Sequence, residues 1–97
     1  MKPIILRPEA RMDALAAYRW YENQRPGLGR DFREALEQVI NSLREKPKSY
    51  PVVLRETRRV LLKRFPYMVF YREYDDAIVI VAVMHGKRDP ETWRQRL

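Results

Sequence analysis

Histidine occurs once in this chain, at position 85, and it heads the run His85-Gly86-Lys87-Arg88. An imidazole can do general acid–base chemistry near neutral pH. It can equally be structural, bonding across a strand end or against the helix that follows. Upstream stand Arg55, Arg58, Arg59, Lys63 and Arg64, then Arg72. Such a cluster could hold phosphates and stabilise a phosphoryl transition state. It could as readily grip the carboxylates of an acidic peptide, which suit the paired N–H donors of arginine. Tyr67, Phe70, Tyr71 and Tyr74 interleave with these charges. Exposed rings beside cations stack on bases, but strand alternation turns two of the four into a core, Phe70 first.

Other chemistries are excluded or unsupported. The chain has no cysteine, so disulfides, thiolate metal sites and cysteine nucleophiles are ruled out. Metal-ligand spacings and glycine-rich phosphate loops are absent, so no cofactor is expected. Asp75 and Asp76 are adjacent between two apolar runs, where turn chemistry explains them better than a catalytic pair. The formal net charge is +7 and the pI about 10.1, which favours an anionic partner. The residues Met1-Lys2-Pro3-Ile4-Ile5-Leu6-Arg7-Pro8 lack the apolar core of a signal peptide. No apolar run nears the ~20 residues of a membrane span. A reducing cytoplasm and no membrane partner are the expectation, with one domain over 1–97.

These groups need elements to hold them. Pro3 to Arg7 is a short β-branched run bounded by prolines, an opening strand. From Glu9 to Asn23, Ala10, Ala14, Ala17 and Tyr21 fall at helical spacing on a face of mostly small residues. Leu15, Tyr18 and Trp20 lie off that stripe: either the buried face is wide or they form a second contact surface. Gln24-Arg25-Pro26-Gly27 breaks the helix. Phe32, Leu36, Val39, Ile40 and Leu43 mark a second helix, ended by Lys46-Pro47.

Tyr50 to Leu54 reads as a weak edge strand, Val60 to Arg64 as a better one, with Val60, Leu62 and Arg64 on one face and Arg59, Leu61 and Lys63 on the other. Met68 to Glu73 and Ala77 to Met84 form a hairpin about Asp75-Asp76. The continuous apolar run of Ala77 to Met84 predicts a strand covered on both faces and central in its sheet. Asp89-Pro90-Glu91 starts a short helix, Glu91 to Arg96, that carries Trp93. The order gives an α+β class: an N-terminal strand, a helical hairpin on a small, mostly antiparallel sheet, and a short C-terminal helix.

Taken in order, certain residues resemble a known family. They are Ala10 with Asp13, Trp20-Tyr21-Glu22, Pro26-Gly27-Leu28-Gly29 with Phe32, Pro47 and Tyr50-Pro51. They continue with Arg59 through Arg64-Phe65-Pro66-Tyr67, Tyr71, His85-Gly86-Lys87-Arg88-Asp89-Pro90 and Trp93. The chain resembles the toxins of type II toxin–antitoxin modules, the RelE/ParE superfamily, and within it the ParE-like plasmid-stabilisation branch.

The resemblance implies a basic, cytoplasmic toxin held by a cognate antitoxin in a hetero-oligomer. It implies DNA gyrase as target and no hydrolytic site. Antitoxin or target would meet Tyr18, Trp20, Arg59, Lys63, Arg72, Lys87 and Trp93. The alternative is a RelE-like, ribosome-dependent mRNA endonuclease, with Arg64, Tyr71, His85 and Arg88 sharing the chemistry. Ribonuclease members usually carry an arginine at the start of the penultimate strand, where this chain has Tyr67-Met68.

Overall fold

One proline and two glycines frame the helical layer of the computed structural model, which describes residues 2–97. Pro8 occupies the first turn of helix α1 (Pro8–Gln24), where its missing N–H costs nothing. Gly27 stands at the N-cap of helix α2 (Leu28–Glu45) with φ of 91°, a left-handed value that glycine adopts without strain. No side chain of its own segment caps α2. Instead the Glu22 carboxylate, near the end of α1, accepts the Gly27 and Gly29 N–H groups at 3.1 Å. Glu22 thus ties the two helices together and neutralises the positive end of α2.

The helices lie close because their contact face is small. Ala10 and Ala17 are buried on α1, and a Cβ at Gly29 would come within 2.8 Å of the Tyr18 carbonyl oxygen. On α2 the predicted stripe is buried at Phe32, Leu36, Val39 and Leu43, with Ile40 half-buried.

Below the hairpin lies one five-stranded sheet: β1 (Ile4–Leu6), β2 (Val52–Leu54), β3 (Thr57–Leu61), β4 (Tyr67–Glu73) and β5 (Ile78–His85), in the order β1-β5-β4-β3-β2. All pairings are antiparallel except β1 on β5. The α+β arrangement is the one expected. β5 is covered on both faces, yet it lies one strand in from the edge, and β4 holds the middle. The third strand sits three residues earlier than its apolar pattern suggests. Arg64 adopts φ of 70°, so the chain is already turning there, and Lys63 and Arg64 belong to the turn.

The two sheet faces carry different cores. Val60, Leu62, Val69, Tyr71, Ile80 and Val83 pack under α1 and α2. Met68, Phe70, Val81, Ala82 and Met84 face helix α3 (Pro90–Arg96), whose Trp93 stacks on Phe70 with ring centroids 4.9 Å apart. Asp89 caps α3 as expected, accepting the Glu91 N–H at 2.9 Å.

An irregularity in β5 sets the direction of its last residues. Phe70 pairs with Ala82, but the next residue, Tyr71, pairs with Ile80. Val81 is therefore an extra residue, a bulge. It shifts the alternation by one, so Ile78, Ile80, Val83 and His85 share the helix-facing side. Without it His85 would face α3.

Candidate functional site

β1 accompanies β5 only as far as Ile80, which leaves the outer edge of β5 from Val81 to His85 without a strand partner. Helix α1 runs along that edge and supplies one. The Asp13 carboxylate accepts the Val83 N–H at 3.0 Å. It also receives Arg96 of α3, with Nη1 on Oδ2 at 2.8 Å and Nη2 on Oδ1 at 3.2 Å. The bond to Asp13 raises the Arg96 pKa further still. A single carboxylate therefore joins α1, β5 and α3.

Beyond this clamp, between α1 and the end of β5, a groove of about 540 Å³ opens. Met12, Ala16 and Trp20 recur every four residues along its α1 wall, with Tyr67 and His85 opposite and Arg88 on the rim. Trp20 is 57% exposed and Met12 65%, so the groove presents apolar surface to solvent. The His85 ring meets Tyr67 edge to face at 5.2 Å. Its Nδ1 accepts the Lys87 N–H at 3.0 Å, which leaves the proton of the neutral ring on Nε2. Burial pushes the Tyr67 hydroxyl up, with Arg88 pulling the other way, so the phenol stays protonated at neutral pH.

A ring cluster packs this end of the molecule. Tyr21 packs on Phe65 at 4.9 Å, on Phe32 at 5.5 Å and on Tyr67 at 6.0 Å. The β5–α3 loop is bonded to the β3–β4 turn through Gly86 N–H and the Pro66 carbonyl at 2.7 Å.

The four residues named for the endonuclease alternative are not assembled into one site. His85 and Arg88 share the groove. Tyr71 is fully buried and donates its hydroxyl to the Pro47 carbonyl at 2.5 Å; burial drives its pKa to about 12. Arg64 points to Asp31 on α2, 3.8 Å away.

The seven residues assigned to partner binding also divide. Trp20, Lys63 and Lys87 are exposed. Tyr18, half-buried, lies on the opposite flank of α1 from Trp20, in a second groove of about 520 Å³ with Leu6, Leu15, Phe32 and Leu36. There Arg33 sits 5.8 Å over its ring. Arg59 is half-buried on the α3 side of the sheet, opposite Phe70. Arg72 is committed internally, donating to Thr57 Oγ1 at 2.9 Å and the Leu97 carbonyl at 2.7 Å. Trp93 is 7% exposed, a core residue with no surface to offer. Met12 and Arg96 are site residues that sequence reasoning misses. Asp13 enters the sequence reading only through the family resemblance, since a carboxylate on an amphipathic helix is no signal by itself.

Fold and site together define a small basic α+β domain. Two apolar grooves flank its first helix, and cations crowd one end. Residues 4–90 match the family described as the ParE toxin of type II toxin-antitoxin system, parDE. The chain belongs to that family. It is 29% identical over 79 residues to Toxin ParE2 of Mycobacterium tuberculosis, in strain CDC 1551 / Oshkosh and in strain ATCC 25618 / H37Rv, covering 80% of this chain and 75% of the relative. A solved structure described as the chromosomal ParDE TA system from P. aeruginosa superposes with a TM-score of 0.67 at 16% identity, over 90% of this chain and 98% of that one. At that identity the likeness speaks for the fold alone. Among the described residues no helix is long and apolar enough to cross a membrane.

Proposed function

We propose that this chain acts in the cytoplasm as a growth-inhibiting toxin. Its activity is to bind and inhibit DNA gyrase, and a cognate antitoxin neutralises it. The observation that carries the reading is the Trp20–Tyr67–His85–Arg88 groove: an open surface with an exposed indole on its wall. Tyr71, one of the four residues named for the endonuclease alternative, is buried and bonded to the Pro47 carbonyl. Large exposed apolar and aromatic groups at the rim of a cationic surface are the composition of a protein-binding hot spot. The flank holding Tyr18 offers a second strip, so a partner that crosses α1 could engage both.

The test is a supercoiling assay with purified gyrase. Added toxin should inhibit supercoiling in proportion to dose, and stoichiometric antitoxin should restore it. Trp20→Ala should weaken inhibition at least tenfold while leaving the circular dichroism unchanged. Full supercoiling at a large molar excess of folded toxin would overturn the reading.

A further inference from the structure

Three loops meet at the end of the molecule that carries the groove. The β3–β4 turn brings Lys63 and Arg64, the β5–α3 loop Lys87 and Arg88, and the α1–α2 loop Arg25; all five are exposed. Their proximity follows from the Gly86–Pro66 bond, the Arg64–Asp31 contact and the packing of Tyr21 on Phe65. Four acids stand near them, and one, Glu34 of α2, lines a pocket with Lys63 and Arg64. Glu22 is bound by the Gly27 and Gly29 N–H groups, Asp89 caps α3, and Asp31 faces Arg64. Asp75 and Asp76 sit in the β4–β5 turn at the far end of the sheet. Five exposed cations therefore gather at one pole, and Arg88 among them shares the groove of the exposed Trp20 indole.

We propose that this pole binds an unpaired strand of DNA, its phosphates on Lys63, Arg64, Lys87 and Arg88 and a base against Trp20. Cations tracking a backbone beside an exposed ring are what a single strand requires. An acidic peptide would use the cations and leave the indole idle. A duplex keeps its bases stacked and out of reach. The choice of DNA rests on the gyrase reading, because an enzyme that opens DNA presents strand and protein together. The binding itself needs no gyrase, so the two ideas fail separately.

The experiment is fluorescence anisotropy of a labelled 12-mer of thymidylate with the purified toxin, over a range of salt. Trp20 emission is followed in parallel in a Trp93→Phe background that retains the native circular dichroism. About four phosphate contacts should give a slope of log affinity against log salt near −3. Trp20 emission should be quenched. Lys87→Gln/Arg88→Gln should weaken binding about tenfold and flatten the slope by about 1.4. Trp20→Ala should weaken it about fivefold or more.

Lys46→Gln/Lys48→Gln, which removes the same charge at the far end, should change affinity less than twofold. Equal losses from the two double variants would overturn the site, since they would reveal diffuse charge only. So would a duplex that binds as tightly as the single strand, or polyglutamate that competes as well as DNA. A tenfold preference for the uridylate 12-mer would overturn the assignment to DNA. Gyrase inhibition by a toxin that fails to bind the oligonucleotide would leave the functional reading standing and remove this one.

Discussion

Removing the Asp13 carboxylate should cost this fold more than any other single surface-accessible change. Asp13→Ala deletes the acceptor of the Val83 N–H and both contacts to Arg96. Bonds to a charged partner contribute about 1.5–3 kcal/mol each, and adding three would give up to about 9. That sum overshoots, because the Arg96 side chain is 23% exposed and can turn to water. Solvated ion pairs contribute about 1 kcal/mol or less.

The Val83 amide has less recourse: α1 lies over it, and an orphaned donor costs about 1–3 kcal/mol. A total near 3 kcal/mol follows, or about 15 °C in Tm for a domain of this size. Arg96→Ala leaves the Val83–Asp13 bond intact and should cost only about 1 kcal/mol. Urea titrations of both single variants and the double variant close the cycle, and amide exchange reads the Val83 site directly. If Asp13→Ala cost no more than Arg96→Ala, with Val83 exchange unchanged, Asp13 would be an ordinary surface partner and the edge-capping argument would be wrong.

Single residues give three further expected outcomes. Tyr71 is buried with its pKa raised from 10.0 to about 12, so the folded state favours the neutral phenol. Its contribution is fully present below pH 10 and is lost as pH rises toward 12. The wild type should lose about 2–3 kcal/mol relative to Tyr71→Phe across that window in urea titrations. Gly29→Ala should destabilise by about 1–2 kcal/mol in the same titration, although alanine favours helix by about 1, because the new methyl meets the Tyr18 carbonyl at 2.8 Å. Arg64→Asn should raise Tm by about 2–4 °C, since asparagine tolerates φ of 70° better than arginine, and the Asp31 contact it loses is long and exposed.

Local signals are legible in the chain. Apolar spacing locates α2, Asp89-Pro90-Glu91 sets the start of α3, and Asp75-Asp76 marks the last turn. What cannot be read is set by contacts far apart in sequence. Alternation puts Phe70 and Tyr71 in unlike environments, yet both are fully buried, because α3 covers the second face with Trp93. For the same reason Trp93, on a short charged helix, reads as surface and is core. The β5 bulge leaves no trace in an all-aliphatic run, and it decides which side of the sheet His85 faces. Asp13 looks like a polar residue on an amphipathic helix; its partners lie 70 and 83 residues away.

Geometry also constrains how neutralisation and target contact relate in the proposed toxin. If the antitoxin also seats on the Trp20 flank of α1, it meets the groove between α1 and the β5 edge that Asp13 closes below it. An antitoxin segment seated on Met12, Ala16 and Trp20 would lie across His85 and Arg88, the same rim a DNA strand must reach. Occupancy should then be exclusive. Titrating the cognate antitoxin into a toxin–oligonucleotide complex should release the label with a 1:1 endpoint, and the release should survive Lys63→Gln, which lies off the groove. A ternary complex that retains the oligonucleotide would separate the two surfaces and place the antitoxin on the Tyr18 flank instead.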